Sequence, residues 1–212
     1  MSDVARGSSG GPGKPGTLLV IISGPSGVGK DTIIEELRGR PRMRAAYFVV
    51  TCTTRGRRPG EVDGVDYHFL SPERFRGLEE AGELLEANEV HGNRYGTPRA
   101  EVARALADGQ DVILKIDVQG AQDVKARVPE AVLIFVVPPS EEALVQRLRA
   151  RATESAEELE IRQRNAAVEL ALQDMYDHVV VNETGQVART AEHIEEIIAS
   201  ERAAHPERQV VV

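Results

Sequence analysis

Residues Gly24 to Lys30 read G-P-S-G-V-G-K and fit the spacing G-x-x-x-x-G-K. Glycines in this pattern let consecutive backbone N–H groups converge on phosphate oxygens, while the lysine reaches the β and γ phosphates of a nucleotide. The backbone of Pro25, Ser26, Gly27, Val28 and Gly29 would line such an anion. A helix opening at Lys30 would add its positive N-terminal end. The residue after the lysine is usually Ser or Thr, whose hydroxyl ligates Mg²⁺. Here it is Asp31, followed by Thr32. Asp31 could serve a hard cation as an oxygen ligand, directly or through water, and without a cation it would repel the phosphates.

A spacing this short also arises by chance in Gly-rich turns, so its flanks decide its meaning. The run before it, "TLLVIIS", is apolar and β-branched and ends at Gly24, as a buried strand does. The run after it carries Ile33, Ile34 and Leu37 at helical spacing. Further buried strands are expected at "DVILKID" (Asp111–Asp117), "AVLIFVV" (Ala131–Val137) and "HVVVN" (His178–Asn182). Helices are expected between them at Thr97–Ala107, Gln119–Ala126 and Ser140–Arg149, the last N-capped by Ser140. Alternating strands and helices predict an α/β fold, a parallel sheet flanked by helices in three layers.

Residues 47–96 break this rhythm with Gly, Arg and acidic residues, and read as an inserted subdomain carrying substrate contacts. Residues 147–164 pack arginines around a polar turn, as a mobile helical lid would. The core would then comprise 17–46 and 97–202. Residues 1–16, poor in large apolar side chains, are expected to be a flexible tail, and 203–212 a loose one.

The formal net charge of −8 over 212 residues argues against a general nucleic-acid binder and leaves room for a small anionic substrate. A single cysteine, Cys52, cannot form an intramolecular disulfide. No apolar run approaches the roughly 18–20 residues that cross a bilayer. The N-terminus lacks the apolar core of a signal peptide, so a cytoplasmic protein with no membrane partner is expected. The five histidines form no ligand-like cluster.

Behind the phosphate loop lies "TCTTRGRRPGEVDGVDYHF", Thr51 to Phe69. With its spacing it resembles the GMP-binding signature of guanylate kinases. The resemblance continues through "LLEANEVHGNRYGTP", "ILKIDVQGA" and "VVPPS" to "VVVN", about residues 18–200. It implies transfer of a phosphoryl group from ATP to GMP, with Mg²⁺ as cofactor, and leaves dGMP and the oligomeric state open. By this resemblance Arg55, Arg58, Tyr67 and Tyr95 hold the GMP phosphate, and Glu61 falls within the same signature. Guanidinium forks and phenolic hydroxyls suit that task. Glu86 and Asp117 match the carboxylates that read the N–H edge of guanine, and Thr51 and Thr97 match hydroxyl positions near its O6. Lys30, Arg147, Arg151 and Arg162 match the family's catalytic cations.

Two departures have opposite sign. Asp31 stands where a hydroxyl is usual, and Lys115 stands where the family commonly has an acid. Residues 115 and 117 of a strand face the same side, so Lys115 should point toward the active-site end, and an ion pair with Asp31 is expected. The lid also reads "ARA" (Ala150–Ala152) where relatives often have G-R-G. Two other readings remain open, a related kinase of another phosphorylated acceptor and a binding-only module. A regulatory GTPase is disfavoured, because no N-K-x-D motif occurs.

Overall fold

The computed structural model describes residues 12–90, 92–151 and 164–212, the side chains of 150 and 151 excepted. Arg162 therefore lies outside the described residues, and so does the side chain of Arg151.

Strand β1 (Leu19–Ser23) is wholly buried at the centre of a parallel five-stranded sheet ordered β2-β7-β1-β8-β9. Its neighbours are β7 (Val112–Lys115) and β8 (Val132–Val137), with β2 (Tyr47–Phe48) and β9 (His178–Val181) at the edges. Burial on both faces explains why these strands are apolar at successive rather than alternate positions. Leu19 and Ile21 point into one core with Val102 and Leu106 of α3 (Arg99–Asp108) and Val118 and Val124 of α4 (Val118–Arg127). Val20 and Ile22 point into the other, against Ile33 and Leu37 of α1 (Lys30–Gly39) and Ile194 and Ile198 of α6 (Val187–Ala204). Helix α5 (Glu141–Arg151) follows β8, and Ser140 Oγ accepts the Ala143 N–H at 3.2 Å, as an N-cap does. Residues 164–170 are also helical.

A second sheet, ordered β4-β3-β6-β5, is built from β3 (Cys52–Thr53), β4 (His68–Phe69), β5 (Leu84–Val90) and β6 (Asn93–Pro98). Helix α2 (Pro72–Glu80) lays Phe75 and Leu78 against Cys52 and Leu84 to give this sheet its own small core. The break expected after residue 96 falls inside β6, and α3 starts at Arg99 rather than Thr97. Pro98 disfavours a helical Thr97 and is itself extended, at φ −62° and ψ 112°.

The ends of the chain also differ from expectation. Residues 1–16 and 203–212 read as tails; 1–11 lie outside the described residues, but Val210 is fully buried and its carbonyl accepts the Gly13 N–H at 2.9 Å. Gly16 N–H donates to Arg208 O at 3.0 Å. A short apolar residue near a terminus can complete a core once a partner segment satisfies its backbone, which composition alone does not reveal.

Candidate active site

The glycines of the loop after β1 are there for space. Gly24 (φ 141°), Gly27 (φ 83°) and Gly29 (φ 101°) all lie where side chains are strained. A Cβ at Gly24 would collide with the Val136 carbonyl, and one at Gly29 would come within 2.7 Å of Asn182 Nδ2. Lys30 opens α1 and folds back over the loop, donating to Gly24 O and to Pro25 O at 3.1 Å. Burial pushes the Lys30 ammonium below the usual lysine pKa, partly offset by the Glu169 and Asp31 carboxylates. Thr32 is exposed in the first turn of α1.

Two residues that no motif reading assigned a role hold this loop. Glu169 lies 143 positions along the chain from Ser26 and accepts its N–H at 3.3 Å, so a carboxylate rests against the phosphate cradle. Burial raises its pKa. Asn182, just beyond β9, is buried; its Nδ2 donates to Val28 O at 2.8 Å and its Oδ1 accepts from Thr190 Oγ1 at 3.1 Å. Only "VVVN" as a string pointed to Asn182, and nothing local marks Glu169. Asn182→Leu is expected to destabilise the protein by about 1–3 kcal/mol, the cost of stranding the Val28 and Thr190 groups. It should also weaken ATP binding while leaving GMP binding intact, as thermal melting and calorimetry with each nucleotide would register.

Arg147 is tied to the same region. Its guanidinium donates to Val28 O at 3.1 Å, Asn182 O at 2.9 Å and Thr184 Oγ1 at 3.1 Å. These bonds place it behind the loop, on carbonyls, with its head already engaged.

Across the cleft the second sheet assembles an anion-seeking cluster. Arg55 lies 5.5 Å from the centre of the Tyr67 ring, and Tyr67 meets Tyr95 edge-on at 6.0 Å. Glu61 positions the arginine, accepting from Arg55 Nη2 at 2.6 Å and from the Arg58 N–H at 2.7 Å. Burial alone would raise the Glu61 pKa, but these two donors hold it below the usual carboxylate value. Arg58 itself is exposed.

Glu86, on β5, is 1% exposed. Thr97 Oγ1 donates to Oε1 at 2.6 Å and Asn88 Nδ2 to Oε2 at 3.1 Å. Burial nevertheless pushes its carboxyl up to about 7, against the pull of those two donors. Asp117 N-caps α4 by accepting the Gly120 N–H at 2.9 Å. A Cβ at Gly120 would lie 3.0 Å from Glu86 Oε2, so the bare glycine lets the buried carboxylate of one sheet approach the helix that follows the other. Thr51, also buried, precedes β3.

Lys115, the last residue of β7, spans the cleft. Its ammonium pairs with the Asp31 carboxylate and lies 5.1 Å from the centre of the Tyr67 ring. Burial pulls the Lys115 pKa down, but Tyr67 and Asp31 outweigh it and the net shift is upward. The structure thus brings together Lys30, Asp31, Lys115, Tyr67, Arg55 and Tyr95. Among the described residues no group of three or more His, Cys, Asp or Glu is placed to hold a metal, and no helix is long and apolar enough to cross a membrane.

A glycine loop with Lys30 thus faces an arginine–tyrosine cluster through Lys115, with the buried Glu86 close to Asp117. The guanylate kinase family model covers residues 16–201. The chain belongs to the guanylate kinase family. It is 49% identical to the guanylate kinase of Symbiobacterium thermophilum, over 91% of this chain and 89% of that protein. It is 47% identical to that of Gloeobacter violaceus, over 95% and 97%. Among solved structures, the guanylate kinase of Anaplasma phagocytophilum superposes with a TM-score of 0.74 at 32% identity, over 92% of this chain and 91% of that one. The α/β architecture with a parallel sheet flanked by helices is therefore the guanylate kinase fold.

Proposed function

We propose that the protein catalyses transfer of the γ-phosphoryl group of ATP to GMP, giving ADP and GDP, with its two sites placed on the two sheets. The observation that carries the reading is Glu86, a buried carboxylate beside Thr97 and close to Asp117, on the same sheet that carries Tyr95. Guanine, unlike adenine, presents N–H donors at N1 and N2, which a carboxylate accepts and an amide or hydroxyl would pair with less well.

On this reading the 47–96 region is the GMP-binding insertion. Arg55, Arg58, Tyr67 and Tyr95 bind the GMP phosphate, Glu61 keeps the Arg55 fork in place, and Thr51 and Thr97 stand near guanine O6. The backbone N–H groups of residues 24–30 and the Lys30 ammonium bind the ATP phosphates, displacing Glu169 from the Ser26 N–H. Arg147 stiffens the loop through Val28 and Asn182 rather than reaching the phosphates in this conformation. Arg151 and Arg162 follow as lid arginines by family resemblance alone. Phosphoryl transfer asks mainly for alignment and charge neutralisation, which these groups supply.

The exposed Asp31 carboxylate beside the loop suits Mg²⁺, which takes one or two carboxylates together with nucleotide phosphates and water. When bound, the ion would neutralise charge between the β and γ phosphates. We place the activity in the cytoplasm, where a lone thiol such as Cys52 stays reduced.

The test is ADP release by the purified protein with ATP and Mg²⁺, comparing GMP, AMP, UMP and no acceptor. GMP-dependent turnover is expected. Equal rates with AMP would overturn the assignment of Glu86 and Asp117 as guanine readers, and no turnover alongside measurable GMP binding would favour a binding-only module.

A further inference from the structure

Lys115 stands between Asp31, beside the glycine loop, and Tyr67 of the arginine–tyrosine cluster. Strand pairing sets Lys115 level with Ile22, so its side chain leaves the sheet where the phosphate loop departs from β1. The side chain is 21% exposed, and its ammonium contacts one group from each half of the cleft, Asp31 on the donor side and Tyr67 on the acceptor side. Tyr67 in turn lies beneath Arg55 and against Tyr95. Among the described residues, Lys30 donates to the loop carbonyls and Arg55 to Glu61 and the Gly56 carbonyl, each on its own side of the cleft, whereas Lys115 contacts both sides. Lys115 is also near enough to Lys30 to depress its pKa.

Resting on the kinase reading above, we propose that Lys115 is a catalytic residue of this enzyme, its ammonium turning from Asp31 to the oxygens shared between the ATP γ-phosphoryl group and the GMP phosphate. A GMP phosphate oxygen forms the new bond to the γ phosphorus while the bond from that phosphorus to the β–γ bridging oxygen breaks. The electron pair leaves with ADP, and Lys115 keeps its proton throughout. Its contribution is electrostatic: two polyanions brought into line repel, and a fixed cation between them offsets that cost at the moment of transfer. Asp31 gives this ammonium a partner when the nucleotides are absent, so the cleft does not hold a buried, uncompensated charge.

The experiment compares wild type, Lys115→Met and Lys115→Arg in two ways. One is steady-state kinetics. The other is calorimetric GMP affinity with and without a non-hydrolysable ATP analogue, which involves no turnover. Lys115→Met is expected to lower kcat by about 10²–10³-fold, in the range of other lost charge-stabilising groups, with little change in KM for ATP. It should also weaken GMP binding selectively when the ATP analogue is present, a loss of coupling of roughly 5- to 150-fold, because only then do the two anions meet. Lys115→Arg keeps the charge and is expected to recover most of the coupling.

Equal weakening of GMP with and without the analogue, or a Lys115→Met kcat within about threefold of wild type, would overturn the proposal. If Lys115→Met does not fold, judged by circular dichroism, Lys115→Gln takes its place with the same expectations. A wild-type enzyme without GMP-dependent turnover would instead refute the kinase reading itself, so the two failures are distinct.

Discussion

Glu86→Gln is expected to weaken GMP binding on the order of 10³-fold, since each of two bonds to a charged acceptor is worth roughly 1.5–3 kcal/mol. The environment of Glu86 explains why the amide cannot substitute. Both carboxylate oxygens already accept a bond, from Thr97 and Asn88. A glutamine NH₂ would turn a donor toward one of those donors or toward the guanine edge, and the site has no room to rearrange around a residue 1% exposed. ATP-analogue affinity, which depends on the loop across the cleft, should not change. Calorimetry with each nucleotide separates the two, and a Glu86→Gln protein that binds GMP within tenfold of wild type would remove Glu86 from the recognition set.

The same residue predicts a pH dependence whose sign is fixed. Burial raises the carboxyl from its ordinary 4.5 to about 7 in the free protein. If Glu86 accepts the guanine N–H groups as proposed, binding requires the ionised form, so GMP affinity should fall by up to about tenfold per unit as pH drops below about 7, and level off above it. Near pH 7, binding should release a proton, seen as a heat that varies with the ionisation enthalpy of the buffer. The GMP phosphate also titrates, near pH 6. Glu86→Gln isolates that contribution, since it should keep the phosphate's slope and lose the proton release. Stability of the free protein runs the other way. A folded pKa above the unfolded one contributes stability that is fully present below about 4.5 and lost as pH rises through about 7. GMP should therefore protect the protein against thermal unfolding most strongly at and above neutral pH.

The second large effect is expected at Lys30. Lys30→Met preserves length and removes the ammonium that folds over the Gly24 and Pro25 carbonyls. Loss of one preorganised charge-stabilising donor costs about 10²–10³ in kcat, and a group that also binds ground-state phosphates should exceed that, so a fall of at least roughly 10³-fold is expected. Because burial already lowers the Lys30 pKa, the unliganded loop holds its cation at a desolvation cost that incoming phosphates relieve. ATP-analogue affinity should fall with kcat, whereas GMP affinity, set on the second sheet, should remain. Rapid-quench measurement of a single turnover would show whether the chemical step itself has slowed. A chemical step within tenfold of wild type would mean that the loop N–H groups and Mg²⁺ carry the donor site without Lys30.

Much of this protein was legible before folding, for identifiable reasons. A buried parallel strand is a continuous apolar run, so "TLLVIIS", "DVILKID" and "AVLIFVV" announced β1, β7 and β8. The phosphate loop is local chemistry, with glycines and lysine fixed at short spacing between a strand and a helix, and family membership followed from ordered motifs along most of the chain. The opposite charges at positions 31 and 115 were likewise visible, and their pairing followed once strand alternation put residue 115 on the active-site side.

What depended on long-range packing was not visible. The hairpin of β5 and β6 carries Glu, Asn, Gly and Pro, poor strand formers that pair because Phe75, Leu78 and Cys52 give that sheet a core. At the C-terminal end no motif marks helix α6 or the place of Val210, which completes the core beside Gly13. Glu169 gains its place against Ser26 only through the fold, across 143 residues of chain. The residue types, and hence the chemistry the protein could perform, were set by sequence. Tertiary structure alone decided which charges are desolvated and which face one another, because burial and distance, rather than residue identity, push the Glu86 carboxyl up to about 7 and put Lys115 between Asp31 and Tyr67.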